Sequence, residues 1–166
     1  MQFIRVRNVK KPVRNVAENA GIDFYVPEFD AFSVGEIAQL GCDCEIDTEN
    51  KTITIMPHTD VLIPSGIKSK FSNNLALVAF NKSGVATKKK LIVGAEVIDS
   101  AYQGEWHLHL INTSDVPQTI SFGQKIVQFI PIVISTDEVE VLDVPEDEFF
   151  TEKTERGAGG FGSTGV

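Results

Sequence analysis

Residues 97–105 read Val97-Ile98-Asp99-Ser100-Ala101-Tyr102-Gln103-Gly104-Glu105, between two alternating apolar runs at 90–95 and 106–111. Strand, short polar turn with a glycine, strand: the pattern predicts a β-hairpin. Asp99 stands at the end of the incoming strand, Tyr102 follows three residues on, and Gly104 is expected to let the backbone turn back. A carboxylate held at a strand end could act as a base on a fixed water. The ring beside it could form the wall or floor of a small pocket. Taken alone, the same residues also describe an ordinary surface hairpin with a turn aspartate.

Outward from this stretch, nearly every segment carries the two-residue period of strands. Residues 3–9 alternate until Lys10-Lys11-Pro12, and 22–26 run from a small-residue turn to Pro27. Residues 51–56 alternate threonine and isoleucine, and 60–63, 67–71 and 75–80 are further short strands separated by turn residues. Residues 83–89 are the one helical turn of any length, with Ser83 as its expected cap. Strands at 119–122, 125–133 and 139–144 complete the series. Many short strands at regular spacing imply an all-β fold, a distorted barrel or jelly roll. The expected organisation is one barrel domain over 1–145 and an arm over 146–166.

At 166 residues and 42% hydrophobic content the chain can bury a real core. No apolar run approaches a membrane span, and the first residues read as a strand rather than a signal peptide. No membrane association is expected. A formal charge of −8 argues against general nucleic-acid binding, which needs a basic face. It leaves room for one anionic ligand held by local cations and backbone amides. Two cysteines and no export signal suggest a reducing compartment, hence the cytoplasm, or the host cytoplasm if the chain is viral.

The arm is acidic to about residue 155 and then reads Arg156-Gly-Ala-Gly-Gly-Phe161-Gly162-Ser163-Thr164-Gly-Val166. Five glycines around one arginine and one phenylalanine cannot build a core, so order there requires a ligand. Such a run can present several N–H groups to an anion, while Arg156 forks a phosphate and Phe161 stacks on a flat ring. Residues 28–50 are acidic and irregular. They hold Cys42-Asp43-Cys44, whose spacing suits a disulfide poorly, and are expected to end in an extra hairpin turning near Glu49-Asn50. With His58, His107 and His109 the only histidines, a zinc site is not favoured. Lys88-Lys89-Lys90 reads first as a solvated turn, although near a pocket mouth it could attract an anion.

Five separated pieces resemble the five motifs of the trimeric dUTPase family, in the family's order and at similar spacing. They are residues 20–24 (Ala-Gly-Ile-Asp-Phe), 82–86 (Lys-Ser-Gly-Val-Ala), 97–105, 123–128 (Gly-Gln-Lys-Ile-Val-Gln) and 156–165. The resemblance implies a jelly-roll-like subunit in a homotrimer, with sites built between subunits, that hydrolyses dUTP to dUMP and diphosphate with Mg²⁺ held on the triphosphate. It implies Asp99 as the base for the attacking water and Tyr102 as the floor under the deoxyribose. Main-chain groups around Val97 and Ile98 would read the uracil edge, excluding cytosine and the thymine methyl. Asp23 would support the water and metal network without a direct metal bond, and Lys82, Ser83, Gly84 and Gln128 would hold phosphate oxygens. In the arm, Phe161 would stack on uracil while Arg156, Gly162, Ser163 and Thr164 close over the terminal phosphates.

Three features depart from the family pattern. Lys82 replaces the usual arginine, keeping the charge and losing the fork. Glu96 and Ala101 replace a glycine and an acid, and residues 28–50 are longer than the usual connection, which leaves them open to a protein partner. A dCTP deaminase-like enzyme of the same fold, a nucleotide-switched regulatory module acting through 28–50, and an inert trimeric coat component are the competing readings.

Overall fold

Alternation decides where each strand turns its side chains, and the computed structural model follows it closely. It describes residues 1–30, 35, 43–152 and 154–155. The chain forms β1 (Gln2–Arg5), β2 (Ile22–Tyr25), β3 (Cys44–Asp47), β4 (Thr52–Ile55), β5 (Asp60–Pro64), β6 (Ile67–Lys70) and β7 (Leu75–Asn81). Helix α1 (Ser83–Lys89) follows, then β8 (Leu91–Val93), β9 (Val97–Ile98), β10 (His107–Asn112), β11 (Gln118–Ser121), β12 (Lys125–Val133) and the single turn α2 (Glu146–Phe149). The strands make four sheets in the orders β1-β6, β5-β10-β8, β11-β4-β3 and β2-β12-β7-β9. This is the expected all-β, jelly-roll-like architecture.

Threonines of β4 face outward and Ile53 and Ile55 are fully buried. Leu108 and Leu110 of β10 are buried in the same alternating way, with His107 and His109 on the opposite face. Trp106 sits at the centre of an aromatic cluster, stacked on Phe24 at 5.2 Å and tilted against Phe129 at 5.0 Å. Burying rings of this size is a large share of the hydrophobic driving force. Asn112, fully buried, ties a corner together: its amide donates to the carbonyls of Ile55, Met56 and Val116. The expected turn at Glu49-Asn50 is present between β3 and β4, where the Asp47 carboxylate accepts from the Asn50 N–H at 2.8 Å.

Three expectations need correction. β8 and β10 do pair antiparallel, with Val93 opposite Leu110. Residues 97–105 are nevertheless not their tight turn, because Val97 and Ile98 cross to another sheet and pair with Val78 and Leu77 of β7. Alternation fixes faces, and the free edge of β7 fixed the partner. Gly104 serves close approach: a Cβ there would lie 2.3 Å from the Tyr102 hydroxyl. Ser83 is not the helix cap. The carbonyl of Lys82 accepts from Val85 and Ala86, so Lys82 occupies the cap with extended backbone and no side-chain cap bond.

The third correction is residues 139–144, which are irregular rather than a closing strand. An alternating pattern supplies a face but no partner. By contacts the chain divides into two units, Met1–Thr136 and Asp137–Val166. Within the second, one helical turn hangs from the Pro145 carbonyl and sets the Phe149 and Phe150 rings edge to face at 4.9 Å.

Candidate active site

Asp23 lies in the middle of β2, opposite Gln128 of β12, which in turn lies opposite Phe80 of β7. The Asp23 side chain is only 7% exposed, yet it is ionic on both oxygens. One oxygen accepts from the Lys82 ammonium; the other lies 3.0 Å from Lys125 Nζ and 3.2 Å from the Asn15 amide. Burial raises the carboxyl's pKa, but the hydrogen bonds and charges of Lys82 and Lys125 outweigh it and hold Asp23 below the ordinary carboxylate value. Lys125 is raised in turn, chiefly by its hydrogen bond to Asp23.

Each partner is placed by a local feature. Lys82 follows the last residue of β7 at the entry to α1. Lys125 is aimed by a β-bulge, since pairing with β2 shifts by one residue between Lys125 and Val127. Ile126 and Val127 are consequently both buried, and Lys125 emerges on the same side as Gln128. Gln128 donates to the Asn81 carbonyl at 2.9 Å and lies so close over Gly21 that any Cβ there would sit 2.2 Å from its Oε1.

These residues border a cleft of about 470 Å³ lined by Lys82, Ser83, Gly84, Lys88, Lys89, Lys125 and Gln128, among others. Three of the predicted motifs, at 20–24, 82–86 and 123–128, therefore converge. Lys88 and Lys89, read first as a solvated turn, face this cleft. Four lysines lining one concave surface make it an anion site.

Asp99 and Tyr102 are elsewhere in the same chain. Antiparallel pairing of Ile98 with Leu77 carries Asp99 towards the start of β7, while Lys82 follows its end, roughly 20 Å away at the usual rise per residue. Asp99 is exposed and Tyr102 is 43% exposed. Behind them the loop is clamped. The Glu105 carboxylate takes both guanidinium donors of Arg7, at 2.7 and 2.9 Å, and the Gly66 N–H at 2.7 Å, while the Tyr102 hydroxyl donates to the Glu105 carbonyl. Glu96 is exposed, and its carbonyl accepts from Ala79 beside β9. Arg156, Phe161, Gly162, Ser163, Thr164 and Cys42 lie outside the described residues, as do 31–34 and 36–42 of the segment 28–50 proposed for a partner.

Among the described residues no group of three or more His, Cys, Asp or Glu could hold a metal, and both Asp23 oxygens are engaged by cations. The donor set suits phosphates rather than a bare metal, so an ion carried on phosphate oxygens fits this cleft and a protein-ligated one does not.

A family model described as dUTPase matches residues 48–165. The chain belongs to the dUTPase family. A relative, the deoxyuridine 5'-triphosphate nucleotidohydrolase of Actinobacillus pleuropneumoniae serotype 3 (strain JL03), is 38% identical over 130 residues, covering 75% of this chain and 80% of that protein. The protein of the same name from Shewanella denitrificans is 33% identical over 151 residues, covering 88% and 90%. Among solved structures, the dUTPase of Staphylococcus bacteriophage 80alpha with dUPNHPP superposes with a TM-score of 0.74 at 21% identity, covering 99% of this chain and 98% of that one. That likeness shows the dUTPase fold. A mutant dUTPase from phage phi11 of S. aureus, solved for its coordination of a structural Mg(II) ion, matches with a TM-score of 0.64 at 18% identity, covering 86% and 96%.

Sequence reasoning missed Lys125 and Asn15. A faint signal for Lys125 was present: Lys125-Ile126-Val127-Gln128 sets two adjacent apolar residues between two polar ones, a spacing that a bulge accommodates.

Proposed function

We propose that this protein hydrolyses dUTP to dUMP and diphosphate at sites shared between the subunits of a homotrimer. The observation that carries the reading is the convergence of Asp23, Lys82, Ser83, Gly84 and Gln128 on one lysine-lined cleft of triphosphate size. The separation of Asp99 from that cleft supports assembly, because the base must then reach the phosphates from another copy. So does the outer face of the β2-β12-β7-β9 sheet. It exposes Phe80, Ile132 and Val97, an apolar row that a second copy of the chain would cover.

In this mechanism the cleft lysines and Gln128 hold the phosphates, and the exposed Asp99 carboxylate removes a proton from a water. The water oxygen bonds to the α-phosphorus as the bond to the α–β bridging oxygen breaks, and diphosphate leaves. Magnesium on the triphosphate oxygens would neutralise part of their charge. Tyr102, pinned through its hydroxyl, offers a flat ring against the deoxyribose, and the backbone at Val97 and Ile98 reads the base. Arg156, Phe161, Gly162, Ser163 and Thr164 would close as a lid. Diphosphate release from dUTP, dCTP and UTP by the purified protein tests the reading. Release from dUTP alone is expected, and deamination of dCTP or inertness towards all three would overturn it.

A further inference from the structure

We propose that Lys125 is a second triphosphate-binding residue, positioned by Asp23 and Asn15 beside Lys82, so that two lysines together replace one guanidinium fork. This rests on the reading of the cleft as a triphosphate site. The two oxygens of Asp23 each meet a different ammonium, Lys82 on one and Lys125 on the other. A single arginine at position 82 would make the same two-point contact alone. The bulge at Ile126 is what brings Lys125 to this side of the sheet; without it the side chain would point the other way.

Lys125 is also oriented rather than loose. Its ammonium donates to Asn15 Oδ1 at 3.0 Å, and Asn15 donates in turn to Asp23, closing a ring of three. The ring of Tyr25 lies below, 5.7 Å from the same nitrogen. An ammonium has three N–H donors, which here meet Asp23, Asn15 and, most weakly, Tyr25, so a phosphate oxygen in the cleft that Lys125 lines would take the place of Tyr25. One carboxylate between two ammoniums leaves a net positive charge, to which Lys88 and Lys89 add. Asp23 is therefore the counter-ion that lets two lysines sit side by side before an anion arrives. On this account the lysine at position 82 and the bulged lysine are one device, and changing either alters the other.

The test is calorimetric binding of inorganic triphosphate, alongside dUTP kinetics with magnesium, on the full chain. Lys125→Met should weaken triphosphate binding about tenfold and raise KM for dUTP comparably, with kcat little changed, while Lys125→Arg retains most of the affinity. In a Lys82→Arg background the fork takes both Asp23 oxygens, and Lys125→Met should then cost less than about twofold. Asn15→Ala keeps every charge and should still weaken binding about threefold at an unchanged melting temperature. Triphosphate affinity of Lys125→Met within twofold of wild type, or equal losses in both backgrounds, would overturn the proposal. Because triphosphate lacks a base and is not being hydrolysed, wild-type chain that binds it through Lys125 yet leaves dUTP intact would sink the functional reading and not this one.

Discussion

Asp23 and Asp99 share a functional group and have opposite surroundings. Asp23 is buried between two ammoniums, so it is a fixed anion whose proton affinity has been lowered below the ordinary 3.8. Between the depressed value and the ordinary one only the unfolded chain binds the extra proton. The stabilisation is therefore complete above the ordinary aspartate value and is lost as pH falls through the folded one. Melting curves of wild type and Asp23→Asn should lie furthest apart near neutrality and draw together as pH falls below the ordinary aspartate value. A gap that stays constant with pH would mean the ion pairs add nothing. Asp99 is exposed to solvent, as the base proposed for an attacking water must be. Asp99→Asn keeps the shape and removes the proposed base. Hydrolysis should fall about 10²–10⁴-fold while melting temperature and affinity for a non-hydrolysable dUTP analogue survive. Near-normal turnover would move the base to another residue.

At the scale of elements, strands β4 and β10 were readable because their alternation is strict and one face is fully buried. The placement of residues 97–105 was not. A two-residue period names the face of a strand and is silent on its neighbour, and β9 takes β7, a strand about 20 residues earlier. The residues of the lysine-lined cleft were legible as motifs, whereas the engagement of Asp23 by Lys125 and Asn15 depends on a one-residue bulge and on tertiary pairing. The same strand pair makes a sharp demand at Gly21. Gln128 crosses over it with Oε1 2.2 Å and Cβ 3.0 Å from where a Cβ would stand. Gly21→Ala should displace the Gln128 amide, lowering kcat/KM several-fold for a melting shift of about 5 °C or less. Unchanged kinetics would show that Gln128 does not touch the phosphates.

For the whole molecule, the apolar outer face of the β2-β12-β7-β9 sheet and the separation of Asp99 from the lysine-lined cleft make one statement. Ile132→Asp puts a charge into that face and should give monomers by sedimentation, with activity lost in proportion. Fully active monomers would detach catalysis from assembly. The distance along β7 between Asp99 and Lys82 also has a genetic consequence. On the proposed shared site, two chains, each impaired for its own reason, can repair one another. Asp99→Asn subunits still bring a sound phosphate cleft, and Lys82→Ala subunits still bring a sound base. Unfolded together in equal amounts and refolded, they assemble at random, and about one site in four joins the good half of each. The mixture would then exceed the mean activity of the two preparations, whereas sites housed within one chain would give only that mean at every ratio.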